Sequence, residues 1–455
     1  LCAPPAERRL LLFSALLLLL ALKGDGHFPF PTEQPESTFQ LYVLGLTIAF
    51  GLGLGALLAD RSATSGAAGG PAPLRLAAGV GAFFVLLDGG LLWLEARRYA
   101  EFGYGFHAAA VVAGCVIAAG SLAWLARRRA PEGAAILAVA MAAQAGVCLY
   151  ACAYFPLASA RSDMLPLLAA AGHRLVAGHD PYVLYQLTAG GGVDLTYLPG
   201  LVLAYLPAAA LHLDPRLLGL AYTGVASWIV WRRAGDHGAA FLAVFLMNPY
   251  LVYRHDIYLA PFWLLLALCW AALARPRPAI LAACCAALGV TSQLLLVPAA
   301  ALAIFGIRRF GAWAMVRWLV PAAAPAALLC ALFVLPDPAG FARGTLGHWS
   351  AALNVESLGF TYWLLPRWPP LLVHALQALL VGTLLILPRG VWRAGIDGRR
   401  PGTAFAAAAA ALACFAALNT VIWTYFYLLV LFLAMLAQLD GEPAPMAVPV
   451  TAPAP

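Results

Sequence analysis

Residues 40–59 read QLYVLGLTIAFGLGLGALLA, a run without a charged side chain that closes on Asp60 and Arg61. A helix needs about 20 apolar residues to cross a hydrocarbon core of about 30 Å, so this stretch has the length and chemistry of a membrane span. Gly51, Gly53 and Gly55 lie inside the run, where they favour close approach of a neighbouring helix over nucleotide binding. Outward from it, comparable runs recur at 10–22, 76–94, 108–126 and 134–155. Further ones lie near 215–231, 238–253, 258–274, 312–335, 368–388, 403–418 and 422–438. The expected fold is all-α, a polytopic transmembrane bundle of about 12–14 spans.

The composition agrees. Of 455 residues, 63% are hydrophobic and 10% charged, with mean hydropathy +0.86. A soluble domain is about a quarter charged, so an ordinary cytosolic protein is excluded. Lys+Arg 27 against Asp+Glu 20 leaves +7, with the basic residues clustered between apolar runs, which reads as a topology signal rather than a nucleic-acid surface. Lys23 is the only lysine, which argues against Schiff-base chemistry and a Walker-type loop. Nine cysteines include no C-x-x-C pair, and eight lie in apolar stretches, so they read as buried small hydrophobes. Arg8 and Arg9 before LLLFSALLLLLAL resemble the start of a signal peptide. No small-residue cleavage site follows before Lys23, so a retained first span is expected.

Cytoplasmic arginines orient the spans. Arg8–Arg9, Arg61 with Arg75, Arg127–Arg129, Arg232–Arg233, Arg275 with Arg277, Arg308–Arg309 and the Arg389–Arg400 cluster all fit one side; Arg97–Arg98 beside Glu95 and Glu101 dissents. YLPGLVLAYLPAAAL (197–211) is short and carries two prolines, so it reads as a re-entrant or broken helix. The 279–305 run, with Thr291-Ser292-Gln293 at its middle and arginines at both ends, reads as a hairpin of two half-helices. The polar segments 156–196, 254–256 and 336–358 then share the outer side, with Trp423, Tyr425 and Tyr427 at the outer end of the last helix pair. Asp88 is an acid within a span, read equally as functional or as hydrated and structural. Three regions are expected: a four-span extension at 1–133, the main membrane module at 134–438, and a disordered Pro/Ala-rich tail at 439–455.

The first outer loop reads SARSDM (159–164), then LPLLAAAGHRLVAGHDPYVLYQLTAGGGVDLTYLPG. Leu165, Leu168, Ala169 and Leu175 recur at helical spacing beside His173 and Arg174, as in a helix lying at the membrane surface. Asp163 stands where this helix would start, as either a cap or a functional acid.

An acid just after a span, a juxtamembrane helix, Gly178-His179-Asp180-Pro181-Tyr182 and then Tyr197-Leu198-Pro199-Gly200 resemble the membrane glycosyltransferases of the GT-C superfamily. The pattern is most similar to the polyprenyl-phosphate-mannose-dependent enzymes of glycosyltransferase family 87, with their acid, G-x-D-P-Y and Y-P-P segments. Asn248-Pro249 before His255-Asp256, Asn354-Val355-Glu356-Ser357-Leu358 and Trp423-Thr424-Tyr425 resemble later motifs of that family. The likeness covers roughly residues 134–438. Gly200 replaces the second proline of Y-P-P, and Thr291-Ser292-Gln293 replaces a frequent lysine.

The resemblance implies transfer of a sugar from a polyprenyl-phosphate donor to a lipid or glycan hydroxyl at the outer face, with inversion, and the Ala- and Arg-rich, Lys-poor composition suits a bacterial plasma membrane as its place. Mannose is the first expectation. Such chemistry needs a proton acceptor and a charge partner for the departing phosphate. Asp163 is the expected base, with His348 a second candidate that reads equally as a solvated loop histidine. Arg254, His255 and Arg343 are candidate phosphate contacts or headgroup anchors. His173, His179, Asp180, Tyr182, Tyr197, Asp256, Asn354 and Glu356 are candidates for sugar or acceptor binding, although interfacial anchoring is the commoner role of tyrosine. His173, His179, Asp180 and Asp194 show no tight metal spacing; a divalent ion would need the fold to gather them, and no metal or other cofactor is expected. The rival readings are a transporter or flippase of lipid-linked sugars, which would place polar residues inside several spans, and a non-enzymatic scaffold.

Overall fold

The computed structural model describes residues 4–23, 36–59, 71–101, 108–154, 157, 164–188, 191–248, 258–347, 359–364, 367–386, 400–419 and 425–440. The helices are α1 Pro5–Lys23, α2 Glu36–Ala59, α3 Pro71–Glu101, α4 Ala108–Arg127, α5 Gly133–Tyr154, α6 Met164–Val176, α7 Pro199–Ala210, α8 Pro215–Leu246 and α9 Ala260–Ala272. They continue as α10 Pro278–Thr291, α11 Leu296–Phe310, α12 Ala312–Val334, α13 Pro338–Ala342, α14 Thr361–Leu364, α15 Pro370–Ile386, α16 Pro401–Ala417 and α17 Phe426–Leu439. Pro199, Pro215, Pro278, Pro338 and Pro401 each open a helix, where a missing N–H costs no intrahelical bond.

A helix that is apolar all round belongs in an interior, and α17 is buried along its whole length. Around it, Phe245 of α8 packs on Phe432 at 5.5 Å and on Trp263 at 5.4 Å. Phe13 of α1 meets Phe241 at 5.2 Å, and Phe50 of α2 meets Tyr427 at 4.9 Å. The first 133 residues therefore bury their apolar faces in the same core as the rest, rather than in a core of their own. The reversal expected between 215–231 and 238–253 occurs within α8. Gly235 adopts φ +59°, and a Cβ on Gly238 would lie 3.1 Å from Val230 O, so the chain folds back on itself there.

Among the described residues, arginines at helix ends tie one segment to another. Arg75 Nη2 donates to Arg129 O at 2.8 Å, and Arg308 Nη2 to Ile386 O at 2.5 Å. Arg233 lies 4.0 Å over the Trp270 ring, donates to Trp270 O and approaches Asp440 at 3.5 Å. Asp440 in turn accepts from Gly402 N at 2.6 Å, supplying α16 with a helix cap from across the fold. Leu439 and Asp440, expected in the tail, thus close the core; residues 441–455 lie outside the described residues. Replacing Asp440 by Ala removes both interactions and leaves a half-buried arginine short of a partner. We expect a loss of about 1–3 kcal/mol in a reversible SDS-unfolding titration, and an unchanged midpoint would refute the clamp.

Two expectations need correction or refinement, and a third holds. Six described helices are long and apolar enough to span a membrane, or seven if α7 and α8, bent by 119°, form one broken span, which is below the expected 12–14. Helices of 13–17 residues, such as α9, α10 and α15–α17, reach only about 20–25 Å, and α1 carries Glu7, Arg8 and Arg9 in its first turns. The fold is not purely helical either. Leu184–Thr188 (β1) pairs antiparallel with Gly191–Asp194 (β2) in the register Leu184 to Asp194 and Tyr185 to Val193. The 279–305 run does form a hairpin: Ser292 is extended between α10 and α11, and Cys285 Sγ contacts Ala299 O at 3.3 Å.

Candidate functional site

The candidate region is built from the segment that follows α5. Helix α6 buries Leu165, Leu167, Leu168 and Ala171 and leaves His173 exposed near its C-terminus. Its docking on α7 is close: a Cβ on Gly172 would lie 2.9 Å from Ala209 Cβ. The helix ends because Gly178 takes φ +77°, which lets His179 N reach Arg174 O at 2.9 Å and Gly178 N reach Leu175 O at 3.0 Å. Asp180 continues the turn. Its Oδ1 accepts from Tyr182 N at 2.9 Å, while its carbonyl accepts from Arg174 Nε at 2.9 Å. Gly178-His179-Asp180-Pro181-Tyr182 is therefore a helix stop followed by a fixed turn.

From that turn the chain is fastened inward. Tyr182 is 1% exposed, donates from its hydroxyl to Tyr197 O at 2.7 Å, and packs its ring 4.7 Å from Phe341. Tyr185 donates to Pro181 O at 2.6 Å. Burial pushes both phenols up, that of Tyr185 to about 12, so both stay protonated hydrogen-bond donors near neutral pH. Tyr197 stacks at a tilt against Tyr258, 4.7 Å away.

Three separate segments meet here. Gln293, at the apex of the α10–α11 hairpin, donates to Thr196 O at 3.4 Å and to Thr345 O at 3.2 Å. Gly200 lies so close to that apex that a Cβ would fall 2.8 Å from Val290 O and 2.9 Å from Thr291 Cα. Its glycine, where the resembled pattern has proline, is what allows this contact. The third segment is α13 with the π-turn Arg343–Gly347. A Cβ on Gly340 would lie 2.5 Å from Tyr182 O, and one on Gly344 would lie 2.1 Å from Leu195 O. Glycines thus bring this segment's backbone into direct contact with the first loop.

Among the candidate residues, Asp180, Tyr182, Tyr197 and Arg343 come together in this region. Arg343 Nε lies 3.9 Å from Asp194 Oδ1 and remains 58% exposed, so its guanidinium is open to a ligand. Tyr182 is enclosed by Phe341 and Phe333 and braces the loop from within. His173 and His179 are exposed, with His173 5.9 Å from the ring of His212. Asp163, Arg254, His255, Asp256, His348, Asn354 and Glu356 lie outside the described residues.

Residues not singled out as site candidates hold the region together. Gln293 and Thr345 bridge segments far apart in the chain. Asp214 caps α8 through Arg216 N at 2.9 Å and pairs with the buried Arg216 at 2.6 Å. Burial raises the Asp214 carboxyl, yet the Arg216 hydrogen bonds and charge outweigh that and hold it below the usual range. Asp214-Pro215 carried a readable helix-start signal; the partners of Gln293 had none. Among the described residues, no three His, Cys, Asp or Glu side chains gather to hold a metal ion. No family model, curated protein or solved structure matches the chain.

Proposed function

We propose that this integral membrane protein is a GT-C-type glycosyltransferase, moving a sugar from a polyprenyl-phosphate donor to a lipid or glycan acceptor at the outer face of a bacterial plasma membrane. One observation supports this reading above others. Segments 178–188 with 191–200, 291–295 and 337–347, distant in sequence, converge at the apex of the α10–α11 hairpin, and the first of them carries the family-like motifs. A transferase needs such a gathered polar face beside the membrane.

In the proposed reaction, the acceptor oxygen attacks the anomeric carbon as the bond from that carbon to the phosphate oxygen breaks. Asp163 takes the acceptor's proton, with His348 the second candidate for that role. The polyprenyl phosphate leaves with its charge met by Arg343, Arg254 and His255. His173, His179, Asp180, Asp256, Asn354 and Glu356 are the proposed contacts for sugar and acceptor hydroxyls, with Tyr182 and Tyr197 shaping the floor beneath them.

The direct test supplies membranes containing the protein with radiolabelled polyprenyl-phosphate mannose, then with a panel of other lipid-linked sugars. Transfer to endogenous lipid or glycan, absent from control membranes, is expected. Absence of transfer from every donor, together with passage of a labelled lipid-linked sugar across liposomes holding the protein, would replace this reading with that of a flippase.

A further inference from the structure

A second polar feature stands apart from that region and does not depend on its function. Gln144 of α5, Tyr205 of α7, Arg216 and Thr223 of α8 and Trp263 of α9 line a small cavity of about 20 Å3. Leu165 of α6 closes one side, so helices from both the short α6–α7 pair and the bundle meet at this point. Gln144 is 6% exposed and Tyr205 2%. Neither Gln144 Oε1 nor Tyr205 Oη has a hydrogen-bond partner among the described residues. Leaving two such groups unsatisfied in an apolar interior would cost several times what a typical hydrogen bond contributes.

The size and chemistry of the cavity select its occupant. A water molecule needs roughly 10–15 Å3 and two to four polar partners, whereas organic ligands occupy about 300 Å3 or more. A cation is disfavoured because no carboxylate lines the cavity and Arg216, which does, carries a positive charge already paired with Asp214. Thr223 Oγ1 commits its proton to Gly219 O at 2.9 Å and keeps lone pairs for a further donor.

We propose that this cavity is a built water site, in which one water accepts from the Tyr205 hydroxyl and donates to Gln144 Oε1. The water fastens α7 to α5, and α6 follows because Gly172 packs directly on Ala209 of α7. Because α7 has only 12 residues and carries Pro207 inside it, its own hydrogen-bond ladder is short, and a polar pin at Tyr205 fixes its position where apolar packing alone would let it slide. The segments that the pin steadies are those leading into residues 178–182 and out of residues 197–200.

The sign of a substitution tests this. In a dry pocket, Tyr205→Phe removes an unsatisfied hydroxyl and leaves the melting temperature unchanged or higher. In the water site it removes one of the bridge's anchors and lowers the melting temperature of the purified protein by about 2 °C or more. Gln144→Leu behaves likewise, and the double variant falls no further than the worse single, because both act through one water. A neutral or stabilising Tyr205→Phe, or a double variant at the sum of the singles, overturns the proposal. A cryo-EM map that resolves ordered water gives the independent check. Density within hydrogen-bond distance of both atoms supports the site, and its absence at that resolution overturns it.

Discussion

Membranes carrying Asp163→Asn lose transfer from the polyprenyl-phosphate donor by about 100-fold or more, while the protein's abundance and melting temperature stay at the wild-type level. A positioned base contributes about 10²–10⁴ in rate, and an amide cannot accept the acceptor's proton. The substitution also separates the two roles that an acid at the start of a helix can have. Asn caps a helix about as well as Asp, so a residue that only satisfies the first N–H groups of α6 would tolerate the change in both stability and activity. Ala would remove the cap as well, at about 1 kcal/mol, and would blur the distinction. Equal activity in Asp163→Asn and wild type, with expression matched, would remove Asp163 from the chemistry and turn the search to His348 and Asp256. Lost activity accompanied by a lowered melting temperature would point to a structural fault instead.

What the sequence made legible follows from how local each signal is. The apolar length of 40–59 is local and survives in the structure as α2, whereas the segments that Arg75, Arg233 and Arg308 reach could not be read from the arginines themselves. Thr291-Ser292-Gln293 interrupts an apolar run, so the hairpin between α10 and α11 was also readable. Fewer helices than expected reach spanning length among the described residues, because hydropathy marks apolar helices without measuring their reach, and several described helices have only 13–17 residues. The β1–β2 ribbon was missed although Gly190-Gly191-Gly192 between alternating residues is a turn signal, because the apolar helix pattern dominated the reading.

The candidate site was legible by residue type and opaque by geometry. Gly178 and Asp180 stood out as parts of a motif, and each has a local role in the structure. Gly178 stops α6, and Asp180 bends the chain onto Tyr182 N. The meeting of Gln293 with Thr196 and Thr345 joins positions some 50 to 100 residues apart, which no periodicity encodes. Asp440 read as the start of a tail because its partners, Arg233 and Gly402, lie on other helices.

Gly344 is where that long-range geometry is most exposed to a single methyl group. A Cβ there would lie 2.1 Å from the carbonyl oxygen of Leu195, inside any permitted contact, and the obstacle is backbone rather than the end of a side chain. Both sides are held: Leu195 is buried between β2 and the fastened Tyr197, and Gly344 is buried in the π-turn. Gly344→Ala must therefore separate the Arg343–Gly347 turn from the 195–198 segment, stretching the bond from Gln293 to Thr345 O and moving Arg343 away from Asp194. We expect a loss of about 1–3 kcal/mol, the usual penalty of forced overpacking. We also expect at least a tenfold drop in sugar transfer in the fraction that remains folded, because a shift of about 1 Å in a site's supports is enough to misplace reacting groups. Gly114→Ala serves as the control. Gly114 lies in α4 with nothing within 4 Å of its would-be Cβ, and alanine is the better helix former there, so stability should hold or rise. If Gly344→Ala melts and transfers sugar like Gly114→Ala, the two loops are not locked together at this point. The proposed site would then have to be held by contacts other than this backbone approach.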